Sequence, residues 1–167
     1  CPYCHGWEHR DGRLAVLGGQ GAAHRAPLLR QWSDDVIVLA DDLSGEDRDA
    51  LDQAGIPVDE RPVAGVEGDG GHLGAVRFAD GSRLERDGVM VVAPLRPRDD
   101  LGPRLGCETT DTPIATGLLV TDNLQQTTVP GVFAAGDVSA MMQQVALAIA
   151  AGSLAAAATH RSLIFGL

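Results

Sequence analysis

The chain has 167 residues, enough for one ordinary domain or two small ones, and 44% of them are hydrophobic. Its net charge of −10 disfavours nucleic acid and anionic membrane surfaces as partners, because basic residues recognise both. Three cysteines are too few for a disulfide framework, so a cytoplasmic protein is expected. The longest nearly apolar run, residues 145–158, is shorter than the roughly 20 residues of a membrane span, so no membrane partner is expected.

Two cysteines, Cys1 and Cys4, open the chain, and at this spacing they can close and reopen a disulfide across one turn. The same letters allow a structural disulfide, a c-type haem attachment, a glutaredoxin-like motif, or zinc bound together with His5 and His9. Because no second cysteine pair completes a tetrahedral site, no metal is predicted and redox chemistry is favoured. The motif stands at residue 1 without an initiator Met, so we expect a piece of a longer protein.

A strand–turn–helix–strand pattern follows the cysteines. Apolar residues 13–17 and 36–39 predict two buried parallel strands, and the glycine turn and helical stretch between them complete the order of a dinucleotide-binding unit. The turn matches the G-x-G-x-x-G fingerprint incompletely, so a structural turn without phosphate is the alternative. The cofactor-binding candidates in it are Gly18, Gly19, Gly21 and Ala23.

Two acidic residues, Asp41 and Asp42, follow the second strand. A carboxylate about 20 residues past the turn accepts hydrogen bonds from an adenosine ribose, which makes Asp41 a cofactor-binding candidate. Both carboxylates would repel a 2′-phosphate, so NADH is favoured over NADPH if a nicotinamide cofactor binds. A solvated acidic loop without a ligand is the alternative.

Short elements continue the first half of the chain. A helix with Ser44 at its N-cap is predicted up to Ala54, followed by a short strand at 56–58. Glycine turns then separate three short strands of an antiparallel meander, and Pro94 and Pro97 follow one more apolar strand, which places a domain boundary near residue 98. These four strands are predicted at 63–66, 73–78, 82–84 and 88–93.

The second half is expected to be loop-rich at first, with strands at 117–121 and 129–137 and an alanine-rich helix over 140–164. The later strand ends at Gly136 and Asp137. Glycine lets the backbone come close to a ligand, the carboxylate can hold a ligand hydroxyl, and the dipole at the start of the following helix favours an anion. A strand-to-helix corner without a ligand is the alternative.

Four motifs in this order resemble thioredoxin reductase and its close relatives, which are FAD-dependent disulfide oxidoreductases with two Rossmann-like domains. They are C-x-x-C, a G-x-x-x-x-A turn, the stretch T-x-x-P-G-V-F-A-A-G-D, and a helix with the pattern Q-V-A-x-A-x-x-x-G-x-x-A-A. The resemblance implies an α/β fold. Residues 1–98 would form a Rossmann-like nucleotide-binding domain, with a parallel sheet plus a small antiparallel meander, and residues 99–167 the C-terminal part of an FAD-binding domain.

The resemblance also implies roles for single residues. Cys1 would exchange with the substrate and Cys4 would face the flavin. His5 stands where these reductases carry an Asp that donates a proton, and an imidazole can act as acid or base. The residues implied to bind FAD are Asp137 at the ribityl chain, and Gln144, Val145 and Ala146 against the isoalloxazine ring.

The predicted function is therefore that of a flavin-dependent thiol–disulfide oxidoreductase that cycles Cys1 and Cys4 against FAD. The expected partner is a thioredoxin-like protein or a small-molecule dithiol or disulfide, and relatives in this family commonly form homodimers. His5 and the acids at the nucleotide turn favour an oxidase-like or NADH-using relative. Two alternatives remain: a small-molecule dithiol oxidase that uses oxygen, and a truncated, catalytically incompetent module, since the N-terminal half of the FAD domain is not in the sequence.

Overall fold

The computed structural model describes residues 2–19, 21–91 and 93–166, and the chain separates into two compact units, Cys1–Ala93 and Pro94–Leu167. The first unit contains α1 (Pro2–His5), β1 (Leu14–Leu17), α2 (Ala22–Leu29), β2 (Val36–Leu39), α3 (Gly45–Gln53), β3 (Val58–Asp59), β4 (Val63–Asp69), β5 (His72–Phe78), β6 (Arg83–Glu85) and β7 (Gly88–Val91). The second unit contains α4 (Leu101–Arg104), β8 (Thr109–Thr112), β9 (Ala115–Leu119) and α5 (Val145–Phe165).

A four-stranded parallel sheet, in the order β3-β2-β1-β7, forms the centre of the first unit. Strands β1 and β2 are short apolar segments, and buried parallel strands take this composition because both of their faces are covered. Leu14 pairs with Val36 in β2 and with Gly88 in β7. The predicted βαβ unit is confirmed.

Helices cover one face of this sheet. Leu14 and Val16 of β1 pack there with Ala26 of α2 and Leu51 of α3 in one buried cluster. Helix α3 begins where the sequence predicts, because the Ser44 hydroxyl accepts a hydrogen bond from the Asp47 amide at 3.0 Å.

The antiparallel meander covers the other face. Its three strands lie in the order β4-β5-β6, and Val76 and Phe78 of β5 pack against Ala15 and Leu39 of the parallel sheet. All four of these side chains are buried. The first unit is therefore a layered α/β structure, and the predicted α/β class with a parallel sheet and a small meander is confirmed.

The second unit differs from the sequence prediction in its strands. The structure pairs β8 with β9 in a hairpin, whereas the prediction had a single strand at 117–121. The predicted strand at 129–137 is wrong: only Phe133 forms a bridge, with Gln126. Pro130 and Gly131 explain this, because Gly131 has a φ of 78° and the Val132 amide donates to the Val129 carbonyl across a tight turn.

The long helix of the second unit also begins later than predicted, at Val145 instead of residue 140. Gln144 before it is extended, and the Gln143 side chain donates a hydrogen bond to the Ala140 carbonyl in the preceding loop. Helix α5 has 21 residues, and none of them is buried. In the part of the chain that the structure describes, α5 is the one helix long and apolar enough to cross a membrane by length and composition. The length argument from residues 145–158 therefore does not apply to the whole helix, and the expectation of no membrane partner stays a prediction.

Candidate functional site

The described cysteine of the redox motif, Cys4, lies in the one-turn helix α1 with its thiol exposed and free. Pro2 is buried beneath it, and the Gly6 amide closes the turn by donating to the Pro2 carbonyl at 3.0 Å. Cys1, the predicted exchange thiol, lies outside the described residues. The third cysteine, Cys107, is buried in the second unit.

Gly6 holds α1 on the body of the first unit. It is buried, and a Cβ at this position would meet the Pro2 carbonyl oxygen and the indole nitrogen of Trp32, and would lie 2.6 Å from Trp32 Cε2. The Trp32 carbonyl in turn accepts a hydrogen bond from the Asp11 amide at 2.9 Å. Only glycine allows this close approach of the dithiol turn to the indole. Sequence reasoning missed this pair, although a glycine directly after the motif was a usable signal.

A largely apolar cavity of about 190 Å³ lies beside α1. Both imidazoles of the motif region, those of His5 and His9, line it together with Leu14, Gly88 and Met90. Leu14 and Gly88 are the first residues of β1 and β7, so the cavity lies at the amino-terminal edge of the parallel sheet. His5 is thus placed between the exposed Cys4 turn and an apolar space.

The surface around Cys4 is aromatic. Tyr3 is 73% exposed and Trp7 is 63% exposed, and the Arg10 guanidinium lies 4.2 Å from the centre of the Trp7 ring. Exposed aromatic rings stacked with a cation are typical of contact surfaces, because they bury large areas at low entropic cost. The dithiol turn therefore presents apolar contact area as well as a thiol.

The predicted nucleotide turn lies at the other end of β1. Gly18 and Gly21 have φ angles of 101° and 73°, which only glycine adopts readily, and Ala23 packs on the helical face of the sheet. Gln20 between them lies outside the described residues. The four residues of β1 separate this turn from the dithiol cavity by about 13 Å. The structure therefore does not bring the two predicted sites of the first unit together.

Asp41 is exposed at the carboxyl end of β2, where the sequence predicts it. It lines a cavity of about 300 Å³ with Gly18, Asp42 and Arg61. The Arg61 guanidinium forms a salt bridge with Asp59 and stacks 3.9 Å from the centre of the Phe78 ring. The hydrogen bond from Arg61 lowers the pKa of the Asp59 carboxyl below its ordinary value.

In the second unit the loop at Gly136 and Asp137 adjoins the start of α5. A Cβ on Gly136 would lie 3.9 Å from the Ala148 Cβ in the first turn of the helix, and Asp137 is exposed. Gln144 at the N-cap makes no side-chain capping hydrogen bond, and Val145 and Ala146 are exposed after it. The structure therefore groups a carboxylate that can accept hydrogen bonds from ligand hydroxyls, a glycine with a φ of 85° and the amino end of a long helix, and this set fits a ligand with both hydroxyl and anionic groups.

Over residues 2–19, 21–91 and 93–166, no group of three or more His, Cys, Asp or Glu side chains lies close enough together to hold a metal ion.

Comparison with known proteins places these features in one family. The Pyridine nucleotide-disulphide oxidoreductase family matches residues 20–152. A thioredoxin reductase of Claviceps purpurea, tcpT, is 35% identical over 93% of this chain and 51% of its own length. The crystal structure of HlmI is 39% identical with a TM-score of 0.82, covering 98% of this chain and 51% of that one. An oxidoreductase from Agrobacterium tumefaciens is 32% identical with a TM-score of 0.83, covering 99% of this chain and 55% of that one.

The chain spans about half the length of the curated relatives it matches. The family in general uses FAD together with NAD(P)H. With its α/β fold, its motif order and these matches, the chain belongs to the pyridine nucleotide-disulphide oxidoreductase family and is a thioredoxin reductase-like member of it.

Proposed function

We propose that the chain carries the redox-active dithiol of a flavin-dependent thiol–disulfide oxidoreductase, with Cys1 and Cys4 alternating between dithiol and disulfide. The observation that carries the proposal is Cys4, free and exposed on a one-turn helix that a Rossmann-type unit holds in place. Membership of the family supports it. Residues 1–98 would be the nucleotide-binding-like domain with the dithiol, and residues 99–167 the C-terminal portion of the FAD-binding domain.

The exchange balances as two thiolate attacks. One thiolate of the substrate attacks the Cys1 sulfur, the Cys1–Cys4 bond breaks, and Cys4 leaves as a thiolate. The second substrate thiolate then attacks the substrate sulfur of the mixed disulfide and releases Cys1. The substrate loses two electrons and two protons as its disulfide forms, and the chain's disulfide becomes a dithiol. In reverse, the dithiol reduces a disulfide such as that of a thioredoxin-like protein.

His5 is the proposed acid–base residue of this exchange. It follows Cys4 directly and lines the cavity beside α1, so its imidazole can hold or release the proton of a thiol at that turn. Tyr3 and Trp7 offer apolar contact next to it, which favours a substrate with an apolar surface.

The flavin would be held, in part, by residues of the second unit. Asp137 would bind ribityl hydroxyls, Gly136 would allow close approach, and Gln144, Val145 and Ala146 would present the start of α5 to the ring. When bound, FAD supplies the two-electron acceptor or donor that returns the dithiol to its starting state. The carboxylates at the nucleotide turn favour a second candidate function, the oxidation of a small-molecule dithiol with oxygen as the final acceptor.

The test equilibrates the chain with glutathione buffers of graded potential and analyses its tryptic peptides by mass spectrometry. Cys1 and Cys4 fall on one peptide, which loses two hydrogens when their disulfide closes, and Cys107 falls on another. We expect the disulfide to open and close between about −180 and −270 mV, the range of redox-active dithiols. Cys4→Ser should give only a mixed disulfide at Cys1, whereas the control Cys107→Ser should behave as wild type. A peptide that stays reduced throughout would refute the proposal.

A further inference from the structure

The glycine turn after β1 is where the pyrophosphate of a dinucleotide lies in a Rossmann-type unit, because backbone amides and the start of the following helix face it. Here one of its glycines, Gly19, is buried. A Cβ on Gly19 would meet the Asp42 carboxylate oxygen, and would lie 2.9 Å from Asp42 Cγ and 3.2 Å from the Asp42 backbone carbonyl carbon. Both the side chain and the main chain of Asp42 therefore lie directly against the turn.

The group that covers Gly19 is itself an anion. A pyrophosphate that approached this backbone would have to displace the Asp42 carboxylate and then remain beside it. Asp41, also exposed, lines the same cavity and adds a second negative charge. Like charges at contact distance repel, so the volume and the charge of the Asp42 side chain both oppose a phosphate at this turn.

Two arginines, Arg61 and Arg25, lie near the turn. Arg61 lines the cavity, but it binds Asp59 and the Ser82 hydroxyl and stacks on Phe78. The Arg25 guanidinium covers the second glycine, since a Cβ on Gly21 would lie 2.7 Å from Arg25 Nη1. Side chains of this chain therefore cover both Gly19 and Gly21.

We propose that Asp42 is a specificity-determining residue that closes the nucleotide turn of this unit to NADH and NADPH alike. The residues present do not fit the pyrophosphate that the family implies at this place. The sequence-based preference for NADH rests on the repulsion of a 2′-phosphate by Asp41 and Asp42, and does not consider that Asp42 covers the glycine on which the pyrophosphate would lie. The inference concerns nucleotide binding alone, so it is independent of the thiol chemistry proposed above.

Isothermal titration calorimetry with NADH and NADPH tests this on the full chain and three variants. Asp42→Ala removes both the volume and the charge, Asp42→Asn removes mainly the charge, and Asp49→Asn makes the same charge change on an exposed position of α3. All these positions are exposed, and a thermal melt of each variant checks that it is folded.

We expect no saturable binding by the wild type up to about 1 mM nucleotide, the upper end of usual KM values. Asp42→Ala should bind at least about tenfold more tightly, which corresponds to about 1.4 kcal/mol. The affinity of Asp42→Asn should lie between those of the wild type and Asp42→Ala, and the affinity of Asp49→Asn should match that of the wild type. Saturable binding by the wild type below that concentration overturns the proposal. The proposal is also overturned if Asp42→Ala shows no nucleotide binding, or if Asp49→Asn gains as much affinity as Asp42→Ala. This measurement does not involve a thiol, and the glutathione titration does not involve a nucleotide. Either proposal can therefore fail while the other holds.

Discussion

Replacing Gly6 by Ala tests whether the dithiol turn is held by close packing on Trp32. The added methyl group would lie 2.6 Å from Trp32 Cε2, and it would also meet the Pro2 carbonyl oxygen. Carbon atoms in contact are ordinarily about 3.5–4.0 Å apart, so the α1 backbone and the indole must separate by roughly 1 Å. Neither neighbour is the far end of a flexible side chain, so the strain cannot be relieved by a simple rotamer change.

Overpacking of this kind costs about 1–3 kcal/mol of unfolding free energy. In a domain of 60–100 residues each kcal/mol lowers Tm by about 4–8 °C. Both tryptophans of the chain, Trp7 and Trp32, belong to the first unit, so their fluorescence reports the unfolding of that unit in a urea titration.

The matched control is Gly45→Ala. Gly45 is the first residue of α3, and a Cβ built on it has nothing within 4 Å. That change should leave the unit equally stable or stabilise it by up to about 1 kcal/mol, because alanine loses less backbone entropy on folding than glycine. If Gly6→Ala unfolds within about 0.5 kcal/mol of the wild type, well below the cost of overpacking, the close-packing argument is wrong.

Two further predictions concern charge and thiol access. The hydrogen bonds from the Arg13 side chain and amide hold the pKa of the Asp87 carboxyl well below its ordinary value, so this pair adds stability above about pH 4 that is lost as the pH falls through the lowered pKa. Because both side chains are 42% exposed, Asp87→Asn should lower the free energy of unfolding by only roughly 0.5–1 kcal/mol at pH 7. The variant should also lose less stability than the wild type as the pH falls, and an unchanged loss of stability in acid would contradict the assignment. In the reduced chain under native conditions, iodoacetamide should alkylate Cys4 but leave Cys107 unmodified until urea is added, and equal native rates at the two thiols would contradict their assigned burial.

The βαβ unit and the meander of the first unit could be predicted because their signals are local. The apolar runs of β1 and β2 and the glycine turns of the meander each report their own segment, and parallel pairing follows from the helix between the strands. The late start of α5 and the turn at Pro130 and Gly131 were harder to predict. There the composition suits a longer helix and a strand, while one turn and one side-chain hydrogen bond decide the outcome.

In the candidate site, too, some features could be predicted from the sequence and others could not. The spacing of residues identified Cys4 and Asp41 as functional candidates, and the resemblance to thioredoxin reductase implied an acid–base role for His5. The order of motifs around the strand predicted at 13–17 also places the dithiol and the nucleotide turn at opposite ends of β1. The sequence could not show that Asp42 rests on Gly19. The Asp42–Gly19 contact joins segments 23 residues apart, and a sequence motif does not encode such a contact.

Helix α5 affects how the chain behaves in solution. Val145, Ile149, Leu163 and Phe165 are each more than half exposed, so the helix offers apolar area that other copies can cover. The net charge of −10 opposes such association through mutual repulsion, which is effective only while the Debye length remains long. Colloidal stability of the chain should therefore be greatest at low ionic strength and fall as salt is added, the reverse of ordinary salting-in.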